Sequence, residues 1–321
     1  MKTLVLTRHE VDLIATMELA VEAVEGAFAA FGRGEAEMPP KVYLSIEDHD
    51  GDFRAMPSRL GDTAGNKWVN VHPHNEDRYG LPSVMGVYVL SDPANAFPLA
   101  IMDGTSLTAL RTGAAGGVAS KYLYADSPSS IGIIGCGVQA HTLLGAHEVV
   151  YGNLEVLAYD LDPNAASKFA ESTGARVVSL EKAAGADLVC TATPSREPFV
   201  EADWVRPGAH VNAMGADAPG KQEVDAALLR RGAVYIDDAH QATASGEINV
   251  PLSKGQIAIE DLAGTLGEVV AGSLPRPGAD VTTLFDSTGL AIQDVALARA
   301  IYDEARQSGL GHEVDLIGLH E

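Results

Sequence analysis

Residues 130–160 read SIGIIGCGVQAHTLLGAHEVVYGNLEVLAYD, and this stretch decides the fold. Its isoleucine-rich run at residues 131–134 is typical of a buried parallel strand. A glycine turn follows, and apolar residues then recur at helical spacing until a second apolar strand, residues 155–159, leads into Asp160. Strand, glycine turn, helix, strand and acid in this order form the dinucleotide-binding fingerprint.

Each part of this fingerprint has a physical reason. Gly135 permits the tight turn, and Gly137 has no side chain, so a pyrophosphate can approach the backbone there. Ala140 stands in place of the third glycine, and its methyl group still lets helix and strand pack closely. Free N–H groups at the start of the helix attract phosphates. Asp160 can accept hydrogen bonds from both ribose hydroxyls and would repel a 2′-phosphate, so the pattern predicts NAD rather than NADP.

Length and composition limit the class of protein. A chain of 321 residues is long for one hydrophobic core, so two domains are expected. The formal net charge of −22 argues against nucleic acid or an anionic membrane as a partner. Cys136 and Cys190 form no disulfide framework, and we expect buried free thiols in a reducing environment. Without an evident signal peptide or membrane-spanning run, the expected location is cytoplasmic.

The N-terminal region predicts a domain built on a sheet. Thr7 and Glu10 have the spacing of a capping box, and a helical apolar face follows at residues 17–31. Strand-like segments come next, separated by Pro, Gly and Asp, at residues 42–46, 53–56, 67–72 and 83–90. Since no helix-length pattern separates them, we expect an antiparallel or mixed sheet.

A helix-like segment at residues 106–123 is expected to join this domain to the next. Beyond Asp160, helical and strand-like segments alternate, which predicts a doubly wound parallel sheet. The predicted elements are a helix at 163–172, strands at 175–180, 187–193, 209–214 and 233–237, a strand and turn at 283–289, and a helix beginning at 291. The fold class is therefore α/β: a Rossmann-type doubly wound parallel sheet, residues 114–295, plus an α+β domain, residues 1–113 completed by residues 296–321.

Polar loops follow two of the predicted strands. In an open α/β sheet, ligands bind at the carboxyl ends of the strands. The loops at residues 192–194 and 212–221 lie at such ends, and Asp217 in the second loop is a candidate acid or base. A turn-forming aspartate is the alternative for the same residue.

The first domain carries notable cations for so acidic a chain. Arg54, Lys67 and Arg111 together suit a substrate that bears a carboxylate. Apolar neighbours of Lys67 predict partial burial, which would lower its pKa and let it exchange protons near neutral pH. His72 and His74 lack a third ligand at a recognisable spacing, so no metal site is expected.

The chain resembles the ornithine cyclodeaminase/mu-crystallin family along nearly its whole length. The matching stretches are MPPK at 38–41, RAMP at 54–57, KWVNVHP at 67–73, MDGT at 102–105, LRTG at 110–113, GCGVQ at 135–139, NAMGADAPGK at 212–221 and FDSTG at 285–289. The resemblance implies a homodimer built through the first, substrate-binding domain. It also implies that Lys67 and Arg111 hold the substrate carboxylate and that Lys67 and Asp217 are catalytic.

The matching stretches and the strand ends together assign a cofactor site for NAD. Its predicted residues are Thr112, Gly135, Gly137, Val138, Gln139, Asp160, Thr191, Ala192, Thr193, Asn212, Met214, Ser287 and Gly289. One position departs from the family's ornithine cyclodeaminases, which carry a glutamate where this chain has Arg54. An arginine there would repel the distal amine of ornithine and favour a second contact with a carboxylate.

The resemblance implies an NAD-dependent amino-acid dehydrogenase, because the stretches around Lys67 and Asp217 are similar to the family's alanine dehydrogenase branch. Lys67 or Asp217 would activate the water that releases ammonia. Reduction of pyrroline- or piperideine-2-carboxylate is the second expectation, and ornithine cyclodeamination is the third. A ligand-binding protein of the mu-crystallin kind is the alternative without catalysis.

Overall fold

The computed structural model describes residues 1–318, and the chain divides into two compact units. The first unit contains residues 1–111 and 290–318, and the second contains residues 112–289. The sequence predicts the second boundary near residue 296, whereas residues 290–295 lie in the first unit. Residues 319–321 of the predicted C-terminal segment lie outside the described residues.

The strands are β1 (Thr3–Leu6), β2 (Ala36–Glu37), β3 (Val42–Ile46), β4 (Gly51–Leu60), β5 (Thr63–Val71), β6 (Val84–Ser91), β7 (Pro98–Asp103), β8 (Ser130–Ile134), β9 (Glu155–Tyr159), β10 (Arg176–Val177), β11 (Leu188–Thr191), β12 (His210–Ala213), β13 (Ala233–Ile236), β14 (Gly264–Thr265), β15 (Thr283–Asp286) and β16 (His312–Val314). The helices are α1 (Arg8–Ile14), α2 (Met17–Gly32), α3 (Asn75–Tyr79), α4 (Gly104–Leu123), α5 (Val138–Tyr151), α6 (Pro163–Thr173), α7 (Leu180–Ala184), α8 (Ala226–Arg231), α9 (Ala239–Ser245), α10 (Asn249–Ser253), α11 (Leu266–Ala271) and α12 (Ala291–Ser308). Short 3₁₀ turns lie at Glu47–His49, Ala202–Trp204 and Ile259–Asp261.

The first unit is built on a mixed sheet with the order β16-β1-β7-β6-β5-β4-β2, and β3 pairs with β4. Its strands pair antiparallel except for β1 and β7, which are parallel. The predicted capping box begins α1: the Glu10 N–H donates to Thr7 Oγ1 over 3.4 Å, and the Thr7 N–H donates to Glu10 Oε2 over 2.8 Å. The mixed sheet is confirmed, while β1 and β7 were not predicted.

The two faces of this sheet differ in what covers them. Helix α12 packs over β4, β5 and β6. Met56, Lys67 and Tyr88 are directly paired across these strands, and all three are buried. Side chains alternate along a strand, so the neighbouring residues face the opposite side. There the pair Trp68 and Val87 is 44% and 45% exposed.

The second unit contains a fully parallel sheet with the order β10-β9-β8-β11-β12-β15-β13-β14. The order reverses between β8 and β11, which confirms the predicted doubly wound sheet. Strand β10 is only two residues long, although a strand was predicted at 175–180. The reason is a cap: Ser179 accepts a hydrogen bond from the Lys182 N–H, and α7 begins at Leu180.

The second unit has a hydrophobic core formed by side chains of its sheet and of the segments that pack on it. It includes Ile134, Val189, Val211 and Leu284, one from each of four adjacent strands, and all are at most 1% exposed. Such apolar β-branched strands are what a sheet covered on both faces requires. Within residues 1–318, none of the helices has the length and apolar character needed to cross a membrane.

Candidate active site

Four strand ends of the second unit lie level at one edge of its sheet. Thr191 of β11 pairs with Ile134 of β8 and with Ala213 of β12, and Ala213 pairs with Asp286 of β15. The residues that follow these strands therefore emerge side by side, because all four strands are parallel. The predicted cofactor residues Gly135, Ala192, Met214 and Ser287 occupy these four positions.

The glycine turn after β8 has the backbone that the fingerprint requires. Gly135 has a φ of +92°, and a Cβ there would lie 2.7 Å from the Ala192 carbonyl oxygen. Only glycine tolerates both constraints. At Gly137, in contrast, a Cβ would meet nothing within 4 Å, so the backbone is open to an approaching group. Helix α5 starts next to it, at Val138, whose side chain is 72% exposed. The turn therefore fits a pyrophosphate.

Asp160, just after β9, is tied to this turn. Its Oδ2 accepts a hydrogen bond of 2.7 Å from the Cys136 N–H, and its Oδ1 accepts one of 2.8 Å from the Asp162 N–H. A carboxylate has about four lone-pair sites, so these two bonds leave it acceptor capacity for ribose hydroxyls. The acid thus helps to shape the turn in addition to its predicted contact with the cofactor.

The remaining predicted cofactor residues are placed less uniformly. Thr112 lies on α4, Gln139 lies on the first turn of α5, and Gly289 follows β15. The Asn212 side chain is completely buried inside the unit. Its Nδ2 donates to Ser120 Oγ over 2.9 Å, and its Oδ1 lies 3.1 Å from His210 Nε2. Its amide therefore belongs to an internal polar chain.

Burial governs the histidines of this polar chain. Burial lowers the pKa of His147 to about 4 and that of His210 to about 3, so both are neutral. His147 Nδ1 lies 2.7 Å from the Leu143 carbonyl oxygen, and its Nε2 lies 2.7 Å from Ser120 Oγ. The chain is a structural element, because neutral histidines with all their partners inside the core neither gain nor lose protons near neutral pH.

Asp217 lies in the loop after β12, and its carboxylate has a cationic partner. Lys221 Nζ donates to Asp217 Oδ1 over 2.6 Å, and the two side chains are 20% and 35% exposed. The Asp217 N–H donates to the Gly215 carbonyl oxygen over 3.0 Å, which closes a tight turn. This ion pair was not predicted, although both residues lie in the same predicted loop. The Asp217 carboxylate is therefore ion-paired and partly accessible.

Lys67 is the most deeply buried cation of the first unit. Its side chain is inaccessible, and Nζ donates to Asp294 Oδ1 over 2.8 Å. Burial and the nearby Arg111 guanidinium lower the pKa of Lys67 to about 7, although the Asp294 carboxylate opposes this. The lowering has the predicted direction, and its causes are burial on the sheet face that α12 covers and the charge of Arg111. The neighbouring Trp68 does not contribute to that burial, because it faces the other side of the sheet.

Arg111, Gln293 and Asp294 complete a buried cluster around Lys67. Arg111 Nη1 donates to Gln293 Oε1 over 3.1 Å, and Arg111 Nε lies 3.2 Å from Asp294 Oδ1. Gln293 Nε2 and Asp294 Oδ2 are buried without a hydrogen-bond partner. Sequence reasoning missed both α12 residues. The available signal was two polar residues side by side in the first turn of a helix with an apolar face.

Arg54, which is predicted to contact the substrate carboxylate, lies against an acid of its own strand in the structure. It is buried, and its Nε and Nη2 donate to Asp52 Oδ1 and Oδ2 over 2.8 and 3.0 Å. Its guanidinium also lies over the Tyr43 ring, 5.2 Å from the centroid. This fork is thus engaged with a carboxylate of the chain itself. Among residues 1–318, no cluster of three or more His, Cys, Asp or Glu side chains could hold a metal ion.

A doubly wound parallel sheet with a glycine turn after β8 and an acid after β9 defines the second unit as a Rossmann-type dinucleotide-binding unit. The first unit of the same chain contains a cluster of buried cations. The chain belongs to the ornithine cyclodeaminase/mu-crystallin family, which it matches over residues 1–309. This confirms the resemblance seen in the sequence.

Individual relatives agree with this membership. The chain is 49% identical over 320 residues to an alanine dehydrogenase of Archaeoglobus fulgidus, with 98% of each chain covered. A solved archaeal alanine dehydrogenase, a dimer with bound NAD, has a TM-score of 0.95 at 48% identity, covering 98% of this chain and 100% of its own. A pyrroline-2-carboxylate reductase of Thermococcus litoralis, solved with NADH and L-proline, has a TM-score of 0.92 at 35% identity, covering 97% and 100%.

Proposed function

We propose that this protein is an NAD-dependent amino-acid dehydrogenase that interconverts L-alanine with pyruvate and ammonia. The observation that carries the proposal is the buried cluster of the first unit. There, Lys67 Nζ donates to Asp294 Oδ1, Arg111 Nε lies 3.2 Å from the same oxygen, and Arg111 Nη1 donates to Gln293 Oε1. The unpartnered Gln293 Nε2 marks a site that lacks an acceptor. The similarity to archaeal alanine dehydrogenases over 98% of the chain supports the same activity.

A substrate carboxylate is the group that suits this cluster. The guanidinium of Arg111 and the ammonium of Lys67 form charge-assisted hydrogen bonds to carboxylates, which are stronger than neutral ones. A buried donor without an acceptor costs about 1–3 kcal/mol, so an acceptor that enters the site recovers that free energy. Arg54, the third predicted carboxylate contact, forms its ion pair with Asp52 of the same strand.

NAD is the proposed cofactor, and the residues at the sheet edge suit it. Gly135 and Gly137 would leave room for the pyrophosphate at the start of α5, and Asp160 would accept from the ribose. When bound, NAD supplies the hydride acceptor or donor for the substrate carbon. The protein's own task is to hold that carbon in place and to keep the carboxylate desolvated.

Lys67 and Asp217 are the proposed acid and base. A lysine with a pKa of about 7 exists in both protonation states near neutral pH, as proton transfer requires. Asp217 would act at the substrate from the loop after β12, with Lys221 holding its carboxylate in place. Lys67 thus has two proposed roles, because its ammonium form also attracts the carboxylate.

A substrate panel tests this function. We expect NADH to be oxidised with pyruvate and ammonium, and NAD to be reduced with L-alanine, while L-ornithine yields little proline. Asp217→Asn should lower kcat by about 10²–10⁴-fold with NADH binding nearly unchanged. If only pyrroline- or piperideine-2-carboxylate oxidises NADH, the proposal passes to cyclic ketimine reduction, which the Thermococcus litoralis relative favours.

Asp217→Asn decides the role of that residue separately. A variant that keeps more than about a tenth of the wild-type kcat, about 1.4 kcal/mol, would mean that Asp217 only forms a turn. A protein that binds NADH but turns over none of the panel would instead be a ligand-binding member of the family.

We also propose that the protein is a cytoplasmic homodimer. Across β3 to β6, Val42, Ala55, Trp68 and Val87 are directly paired in one row, and all but Ala55 are more than 40% exposed. Such an apolar row suits a partner surface, and the related archaeal enzyme is a dimer. Trp68→Glu should shift the protein toward the monomer in sedimentation, whereas an unchanged dimer would place the interface elsewhere. Cys136 and Cys190 are free thiols, which fits a reducing compartment.

A further inference from the structure

One buried carboxylate connects the two loops that follow β11 and β12. Glu223 is completely buried. Its Oε1 accepts hydrogen bonds from the N–H and the hydroxyl of Thr193, over 2.7 and 2.8 Å. Its Oε2 accepts from Thr191 Oγ1 over 2.7 Å and from the Gly215 N–H over 2.8 Å. The side chain therefore binds both loops: Oε1 holds the loop after β11, and Oε2 joins the end of β11 to the loop after β12.

These two loops carry the proposed site residues of the sheet edge. Thr193 lies in the loop after β11, and Asp217 lies two residues beyond Gly215 in the loop after β12. The loops touch: a Cβ on Gly215 would lie 2.2 Å from the Thr193 carbonyl oxygen and 2.6 Å from Glu223 Oε1. A carboxylate suits this position because it accepts on both oxygens and donates on neither when ionised.

Glu223 is itself fixed by further carboxylates. The N–H groups of Glu223 and Val224 donate to Glu247 Oε1 over 2.9 and 2.7 Å. The N–H groups of Glu247 and Ile248 donate to Asp286 at the end of β15, over 2.8 and 3.1 Å. Asp286 at the end of β15 thus holds the backbone of Glu247, and Glu247 holds the backbone of Glu223. Burying these acids is costly unless donors compensate, so their arrangement has a defined structural purpose.

We propose, on the basis of the function proposed above, that Glu223 is a positioning residue that fixes the Asp217 loop against the Thr193 loop. With both loops held by one side chain, the acid/base and the cofactor-binding edge keep a constant separation. Reaction rates depend steeply on such geometry, because a misplacement of about 1 Å can cost about 10²-fold.

Glu223→Gln tests this role with little change in shape. The amide can offer its oxygen to one loop, but its NH₂ group then faces an N–H of the other loop. We expect kcat to fall by about 10- to 100-fold and the Kd for NADH, measured by fluorescence, to rise about threefold or more. A kcat and Kd both within about twofold of the wild type would overturn the proposal.

A double-mutant cycle separates positioning from general support. If Glu223 acts through Asp217, then Glu223→Gln should lower kcat no further in an Asp217→Asn background, because residues that act as a unit are non-additive. Fully multiplicative losses would contradict this link. If Asp217→Asn alone keeps the wild-type kcat, the acid/base assignment fails, whereas a raised Kd for NADH with a lowered kcat in Glu223→Gln still supports the loop clamp.

Two further variants keep the test independent of stability. Asp225→Ala removes the N-cap of α8, where Asp225 accepts from the Ala227 N–H over 2.9 Å, and it touches neither loop. It should lower Tm without the loss of kcat expected for Glu223→Gln. If Glu223→Gln does not fold, Thr191→Val removes one of the clamp's donors and should lower kcat by about two- to tenfold. An unchanged kcat in Thr191→Val would then overturn the proposal.

Discussion

The two units bury opposite charges. Among the described residues of the first unit, the buried charged side chains are Arg54, Lys67 and Arg111 with one acid, Asp294. In the second unit the buried charged side chains are the acids Glu223, Asp237, Glu247 and Asp286. Among the described residues 112–289, no lysine or arginine is buried beside them. The net negative charge of the whole chain gives no hint of this division.

The difference lies in how each charge is satisfied. The cations of the first unit meet side chains, such as the pair of Lys67 and Asp294 at 2.8 Å. The acids of the second unit meet backbone N–H groups at the ends of parallel strands, as Asp237 does with Thr288 and Gly289 over 2.6 and 2.9 Å. The first arrangement leaves an excess of donors for an anionic ligand, whereas the second fastens loops to the sheet.

Burial moves Lys67 of the first unit and the acids Glu247 and Asp286 of the second unit toward their neutral forms. It lowers the pKa of Lys67 to about 7 and raises that of Asp286 to about 8, the latter with help from the Asp237 charge. Burial, Glu223 and Asp286 also raise the pKa of Glu247 well above its usual range. The cations of the first unit should therefore control activity, and the acids of the second unit should control stability against pH.

The largest expected effect comes from removing the central cation. Lys67→Met should lower kcat by about 10²–10⁴-fold and also raise KM for pyruvate, because it removes both a proton-transfer group and a carboxylate contact. Steady-state kinetics with NADH measures both values. The control is the same change at Lys254, which is exposed. If Lys67→Met keeps its activity, the buried cations of the first unit serve only its stability.

Asp160 tests whether an acid of the second unit can serve ligand binding as well as structure. It accepts hydrogen bonds from backbone N–H groups and still has acceptor capacity for a cofactor. Asp160→Ser should change the ratio of kcat/KM for NADH over NADPH by about 10²-fold toward NADPH. Asp162→Asn is a matched control, since asparagine also caps α6. A wild-type enzyme with a higher kcat/KM for NADPH than for NADH would contradict the proposal that Asp160 selects against the 2′-phosphate.

Asp294→Asn tests how the buried cluster sets the pKa of Lys67. The Asp294 carboxylate raises the pKa of Lys67 against burial and Arg111, so its loss should lower that pKa further. If the ammonium binds the substrate carboxylate, 1/KM for pyruvate falls as pH rises through this pKa. The falling limb should therefore move to lower pH, with KM about tenfold higher near pH 7.5.

The control for this shift lies on the same helix. Asp303 pairs with Arg299 over 2.8 Å at the surface of α12, and Asp303→Asn should leave the limb in place. If the fall of 1/KM with pH occurs at the same or a higher pH in Asp294→Asn than in the wild type, then Lys67 does not titrate in substrate binding.

The smallest effect concerns stability. Glu247 has a raised pKa in the folded protein, so the native state holds a proton that the unfolded chain loses above about pH 4.3. Its contribution to stability is full below that pH and is lost as pH rises toward the native pKa. Glu247→Gln removes this titrating group. The slope of the free energy of unfolding against pH should therefore change by up to about 1.4 kcal/mol per pH unit between about pH 5 and 7.

Denaturant unfolding at several pH values measures that slope. The same substitution at Glu197, which is exposed, is the control. Equal slopes for Glu247→Gln and the wild type would mean that Glu247 is ionised in the native protein, and the contrast between the two units would then be one of charge alone.

Local patterns were sufficient for much of the fold. The glycine turn at Gly135, the acid at Asp160 and the capping box at Thr7 depend on residues close in sequence, so their spacing predicted them. Short or weakly apolar elements were missed or extended, as at β1 and at residues 175–180. There a sheet neighbour or a single serine cap decides the outcome, and neither is visible in periodicity.

By itself, the sequence determined the class of fold, the family and the predicted NAD fingerprint, because these rest on backbone geometry that a few local residues dictate. Only the tertiary structure decided the partners of the buried charges. Asp294 and Lys67 are 227 residues apart in the chain, and Glu223 and Thr191 are 32 residues apart. Such pairs form when α12 packs on its sheet and when strand ends align, and burial then sets their protonation. No local pattern encodes these distances, since they depend on which segments the fold brings together.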